Sequence, residues 1–163
     1  MKLFGEKSSS DNSRKVILGC CKGELCALEE TGDDIMSSGI LGEGFAVYPD
    51  YETDDEDKSF AEAASPVSGR VIDVTAKPNA AVLKTDDGLK VLMSFSDFSS
   101  DEVRFLIKAG DTVEAGKPAV RLTPLNNEKR GIYIVVENSD ILVQYKLKKG
   151  QTAADKTAME YSL

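Results

Sequence analysis

The sequence predicts an all-β fold: a sandwich or partly closed barrel (a barrel-sandwich) of many short antiparallel strands, with one or two short helical turns. Three observations carry this reading. Apolar residues alternate with polar ones in short runs rather than recurring at helical spacing. Clusters of Gly, Pro, Asp, Asn and Ser punctuate those runs. Asp86-Asp87-Gly88 joins two of them with the residue types of a hairpin turn.

Taken in order, residues 1–14 read as a flexible tail, because Ser8 to Ser13 are turn and disorder formers. Met1-Lys2-Leu3-Phe4 could add one amphipathic turn at its start. Residues 15–163 read as a single β domain. Val16-Ile17-Leu18 opens it. Phe45-Ala46-Val47-Tyr48 is a strand stopped by Pro49, and residues 50–58 are an acidic run expected to form a solvated loop. That run lacks the glycine and terminal glutamate of a calcium-binding loop. After the turn Ser65 to Gly69 come strands at Arg70–Val74 and Ala81–Lys84. The strand Leu89–Ser96 puts Leu89, Val91, Met93 and Phe95 on one face and Lys90, Leu92, Ser94 and Ser96 on the other. Ser99 and Glu102 have capping-box spacing, and with Val103, Leu106, Ile107 and Gly110 they predict a short helix. Ala119–Leu122, Ile132–Val136 and Ile141–Leu147 complete the strands.

Composition excludes whole classes of function. The net charge of −8 argues against nucleic acid, where binding begins with Lys and Arg on phosphates, and equally against an anionic membrane surface. No apolar stretch is long enough to span a bilayer. The three cysteines, Cys20, Cys21 and Cys26, are odd in number and include an adjacent pair, so free thiols are expected rather than a disulfide framework. There is no histidine. A cysteine metal site therefore lacks its usual fourth ligand, and no metal or other cofactor is expected.

The chain also echoes itself. Gly23 to Leu28 parallels Gly69 to Val74, each a glycine feeding an alternating strand, and Gly110 to Lys117 parallels Gly150 to Lys156. Such glycine corners occur in lipoyl and biotinyl carrier domains, but no modifiable lysine stands at a hairpin in the required setting, so cofactor carriage is set aside.

In order along the chain, these segments resemble the glucose family of enzyme IIA proteins, the phosphocarriers of the bacterial sugar phosphotransferase system. Gly19 to Leu28 fits the family's first glycine-containing element, with Cys20 where proline is usual, and Asp33-Asp34-Ile35-Met36 fits its DPVF element without the proline or aromatic. Gly42-Glu43-Gly44-Phe45-Ala46 matches GxGxA, and Ser65-Pro66-Val67-Ser68-Gly69 matches the second PxxG. Gly88 to Ser94 follows the strand of the family's second histidine, Gly110 to Gly116 fits the next element, and Val135-Val136-Glu137-Asn138 fits the last. The resemblance spans about residues 15–160 and rests on order and spacing together. It implies a IIA-glucose-like β-sandwich. It also implies a location in the cytoplasm, or peripherally at the inner face of the membrane.

The family's two active-site histidines align with Asn79 and Ser94. Imidazole offers a nucleophilic nitrogen near neutral pH and forms a phosphoramidate labile enough to pass on. A serine needs a general base, and its phosphate ester is too stable to donate. Lys77 stands where threonine is usual, and the loop after Ser94 is cut to Asp97-Phe98-Ser99-Ser100. Phosphoryl transfer on histidine is thus impossible here. The resemblance then implies a catalytically inactive IIA homologue, a protein-binding or regulatory module of sugar uptake. Its docking surface would lie around Phe45, Val47, Lys77 and Ser96. Its partners would be the histidine phosphocarrier protein and the IIB and IIC permease domains. Two alternatives stay open: a working component with another acceptor, Asp97 or a cysteine, and a sensor of free anions or sugar phosphates using Lys77, Asn79 and Ser94.

Overall fold

The computed structural model describes residues 15–163. The tail expected over 1–14, including the turn at Met1 to Phe4, lies outside the described residues. Among the described residues three antiparallel sheets form. The largest has eight strands in the order β10 (Thr112–Val113), β6 (Gly69–Thr75), β7 (Ala80–Lys84), β8 (Lys90–Ser94), β12 (Ile132–Val136), β3 (Glu43–Pro49), β2 (Gly23–Ala27) and β14 (Gly150–Thr152). A four-stranded sheet runs β4 (Glu52–Thr53), β5 (Ser59–Ala64), β11 (Pro118–Leu122), β9 (Val103–Phe105). A three-stranded sheet runs β1 (Lys15–Leu18), β15 (Thr157–Ser162), β13 (Gln144–Leu147). None closes into a barrel, so the sandwich alternative is the one adopted. Among the described residues no helix is long and apolar enough to cross a membrane.

The order of the large sheet reads alike from both edges: a very short edge strand, a glycine-led strand, its partner, then a central strand. The sequence echoes are these two halves. Gly23 and Gly69 lead β2 and β6, and a Cβ on either would sit 2.2 Å from a carbonyl oxygen of the facing strand, Tyr48 O and Lys84 O respectively. The short edges match too, with Thr152 opposite Gly23 and Val113 opposite Gly69.

The core lies between the inner face of this sheet and the two smaller ones. Phe45, Val47, Leu83, Val91, Met93, Phe95, Ile132 and Ile134 are fully buried there, against Ala63, Val120, Leu122, Ile17 and Met159. The alternation expected for Leu89 to Phe95 is the one observed. β12 is buried on both faces, which explains its uninterrupted apolar run: Tyr133 and Val135 turn outward into a second cluster with Leu28, Met36 and Ala46.

Met36 comes from a helix, α1 (Asp34–Ser38), that the strand-dominated reading did not anticipate. Its signals are local: Asp33 caps it by accepting from Ile35 N and Met36 N at 3.0 and 2.9 Å. Gly39 ends it in the left-handed region at φ 79°. The helix expected after Ser99 shrinks to one 3-10 turn, Ser100–Glu102. Val103 to Phe105 leave it to pair with β11, because a strand bond to Leu122, Arg121 and Val120 outweighs a weak local helical stripe. The acidic run 50–58 is not a loop throughout. Glu52 and Thr53 pair with Phe60 and Ser59, and Asp54 Oδ1 closes the turn by accepting from Glu56 N and Lys58 N, both at 2.9 Å.

Candidate functional site

Strand register brings the site together. Directly opposed residues on antiparallel neighbours share a face. Across the large sheet Thr75 opposes Ala80, Ala80 opposes Ser94, Ser94 opposes Tyr133, Tyr133 opposes Ala46, and Ala46 opposes Cys26. These residues form one row on the outer face, and the seam between the two halves of the sheet passes between Ser94 and Tyr133. Asn79 precedes Ala80, and its backbone carbonyl accepts from Phe95 N at 2.8 Å, one residue beyond Ser94.

Both side chains are nearly closed off from solvent, Asn79 at 5% and Ser94 at 4% exposure. Each makes a side-chain hydrogen bond inside the fold. Asn79 Nδ2 donates to Phe98 O at 3.3 Å, and the Ser94 hydroxyl pairs with Ser96 Oγ at 3.1 Å. No carboxylate or imidazole stands beside Ser94 as a hydrogen-bond partner among the described residues, so its hydroxyl has no base to activate it.

Beyond Ser94 the chain turns through Asp97, which caps no helix. Its Oδ2 accepts the Tyr133 hydroxyl at 2.5 Å. Burial, reinforced by this bond, holds the Tyr133 phenol well above its usual range. Tyr133 and Asp97 line a cleft of about 230 Å³ with Gly32, Asp33, Tyr48 and Lys129. An adjoining cleft of about 320 Å³ shares Tyr48 and Lys129 and adds Glu24, Cys26 and Glu30. Lys129 Nζ lies 4.8 Å from the centre of the Tyr48 ring and 3.8 Å from Glu24. Burial, then Glu30 and Glu24, push the Cys26 thiol up, which keeps it protonated and a poor nucleophile. Cys20 and Cys21 are buried in the core.

Behind Asp97 sits the tightest ion pair among the described residues. Arg130 donates to Glu102 through both terminal nitrogens, at 2.7 and 2.6 Å, with side-chain exposures of 12% and 3%. Glu102 also accepts from Ser99 N at 2.9 Å and Leu125 N at 2.8 Å. The Arg130 hydrogen bonds, helped by these amides, lower the Glu102 carboxyl to about 2. The guanidinium lies 4.5 Å from the centre of the Phe98 ring.

Of the residues marked from sequence, the structure joins Ser94 to Ser96, ties Asn79 to the neighbouring Phe95 and Phe98 backbone, and leaves Lys77 exposed on the turn between β6 and β7. Phe45 and Val47 are corrected: both are fully buried and offer nothing to a partner. The docking reading placed them on the wrong side of β3, whose outer face carries Ala46 and Tyr48 instead. Sequence reasoning missed Tyr133, Tyr48 and the Arg130–Glu102 pair. Tyr133 has a visible signal, a lone hydroxyl inside an otherwise aliphatic strand. A larger cleft of about 390 Å³ lies at the far end of the β7–β8 hairpin, where Lys15 and Tyr161 both donate to Asp87, at 3.1 and 2.8 Å.

The row thus lies on the outer face of an open antiparallel sandwich, across the central seam of its large sheet. Residues 15–142 match the family described as phosphoenolpyruvate-dependent sugar phosphotransferase system, EIIA 1, and the chain belongs to that family. It is similar to the glucose-specific EIIA component of the phosphotransferase system of Staphylococcus epidermidis, with 29% identity over 147 residues covering 85% of this chain and 82% of the relative. The corresponding protein of Staphylococcus aureus strain COL has the same identity and coverage. Among solved structures, glucose permease IIA from Mycoplasma capricolum superposes with a TM-score of 0.70 at 20% identity, over 97% of this chain and 99% of that one, which shows the shared fold.

Proposed function

We propose that this chain, with residues 15–163 acting as one IIA-like unit, is a docking and regulatory module of sugar uptake that carries no phosphoryl group. One observation supports this above the rest. The two positions aligned with the family's histidines hold Asn79 and Ser94, both nearly buried, each with a side-chain hydrogen bond made inside the fold. What stays available is the surface around them: Ser96, Asp97, Tyr48 and Asp33, with Ile35 and Ile40, which follow Asp33 in the chain, 58% and 79% exposed. Exposed apolar residues beside a charged cleft suit a protein partner. Such a partner is the histidine phosphocarrier protein or a permease domain at the inner face of the membrane.

The geometry weighs against the other two readings. Asp33 and Asp97 face a single lysine in the cleft, a field that opposes free sugar phosphates. Asp97 has one oxygen engaged by Tyr133, and the thiols are buried or protonated, so neither is a ready acceptor.

The test is a heteronuclear NMR titration with the histidine phosphocarrier protein, run with and without phosphoenolpyruvate and its kinase. Shifts clustered at Tyr48, Ser96, Asp97 and Tyr133 with no phosphorylated species by mass support the proposal. A phosphorylated chain that passes its group on refutes it, and so does a spectrum that never moves.

A further inference from the structure

The bond between Tyr133 and Asp97 joins two segments that would otherwise be independent. Asp97 stands in the turn Ser96 to Ser99, where only Phe98 is buried. Tyr133 stands near the start of the central strand, three residues after Arg130. Arg130 grips both segments. On one side it leads directly into the strand. On the other it holds the turn in three ways: the fork onto Glu102, the face of its guanidinium over the Phe98 ring, and Nη1 at 3.5 Å from Asp97 O. Glu102 extends the grip by accepting from Ser99 N, and Asn79 steadies the same turn through Phe98 O. The Asp97 side chain is exposed at its rim, whereas Arg130 is not.

We propose that Arg130 is the positioning residue of the docking face: it fixes the turn so that Asp97 meets Tyr133 and presents its remaining carboxylate oxygen to a cationic group of the partner. This rests on the docking reading above. An arginine suits the task for a geometric reason. Its planar fork meets both Glu102 oxygens while its face covers an aromatic ring, and a lysine can do one or the other but not both. A turn held in its bound shape spares the partner the cost of ordering it. Arg130 therefore governs affinity without touching the partner.

The experiment compares the full chain with Arg130→Gln, Arg130→Lys, Glu102→Gln and Tyr133→Phe. Three readouts are taken: the nanosecond order of the amides of residues 96–99, the slowly exchanging hydroxyl proton of Tyr133, and affinity for the histidine phosphocarrier protein. Arg130→Gln should loosen the four amides, lose the hydroxyl proton to exchange, and weaken binding ~10-fold, mostly through a faster off-rate. Arg130→Lys should recover part of each. Tyr133→Phe should weaken binding while the Glu102 contacts of Arg130 persist. Should Arg130→Gln not fold, Arg130→Lys and Glu102→Gln carry the same readouts. A folded Arg130→Gln with unchanged amides and an unchanged Tyr133 proton overturns the proposal. A wild-type chain with an ordered turn and a protected Tyr133 proton, but no binding, overturns the docking reading on its own, and with it the affinity role assigned to Arg130.

Discussion

Replacing Glu102 by Gln removes one charge from a buried ion pair and keeps its shape. The size of the loss follows from two independent routes. The Glu102 carboxyl lies at about 2 against an ordinary value of 4.5, and that gap of ~2.5 units at 1.36 kcal/mol each is ~3 kcal/mol. Breaking a buried pair by removing one partner costs ~3–5 kcal/mol by the same order of reasoning from uncompensated charge. The folded-state value is below the unfolded one, so this stability is fully present above the unfolded value and is lost as pH falls from about 4.5 toward 2. Denaturant unfolding at several pH values measures it. The variant should be ~3 kcal/mol less stable than the wild type at pH 7, with the difference shrinking steadily in acid. Glu62→Gln is the control, because its pair with Arg121 is exposed and long at 3.8 Å, and it should cost under ~0.5 kcal/mol. A Glu102→Gln penalty below ~1 kcal/mol, or one that does not change with pH, would refute the reasoning about the buried pair.

Four further outcomes are expected. Gly44→Ala should severely destabilise the fold in thermal melts, since a Cβ there would lie 1.9 Å from Ile134 O on the central strand, and a variant that melts with the wild type contradicts that close approach. Phe45→Ala should cost ~3–5 kcal/mol of unfolding free energy. Ile40→Ser should leave stability within ~0.5 kcal/mol yet weaken partner binding severalfold. Equal effects of Phe45→Ala and Ile40→Ser on stability would undo the assignment of inner and outer faces. The double variant Asn79→His with Ser94→His should accept a phosphoryl group from the phosphorylated carrier protein, because it restores the family's two imidazoles on paired strands, with Ala80 opposite Ser94. A folded double variant that stays unphosphorylated under donor excess would show that more than the two imidazoles has been lost.

Most strands were legible because alternation and turn chemistry are local properties. Leu89 to Phe95 declare their inner face, and Asp86-Asp87-Gly88 declares the hairpin. What stayed hidden depends on pairing across long separations. Nothing near Phe45 says which side of its strand faces the core, because Gly44, Ala46 and Val47 are all small or apolar and both faces of β3 are covered. Ser99 and Glu102 do form their capping box, yet Arg130, far along the chain, takes the carboxylate, and β11 draws the following residues into a sheet. The alignment of Asn79 and Ser94 with the family's histidines came from the resemblance, whereas Tyr133 opposite Ser94 could come only from register.

The pairing of the first and last described strands bears on how the chain is made. β1 finds its partner in β15, with Lys15 opposite Tyr161, and the outer edge of β2 is closed by β14, with Gly23 opposite Thr152. A ribosome releases the early strands first, so both wait with unsatisfied backbone edges until residues 150–162 emerge. Loop closure over such separations is slow, and open edges invite pairing with neighbouring chains. Completion of this fold therefore waits for residues 150–162 to emerge, and the interval before it is when the nascent chain most needs protection from its own copies.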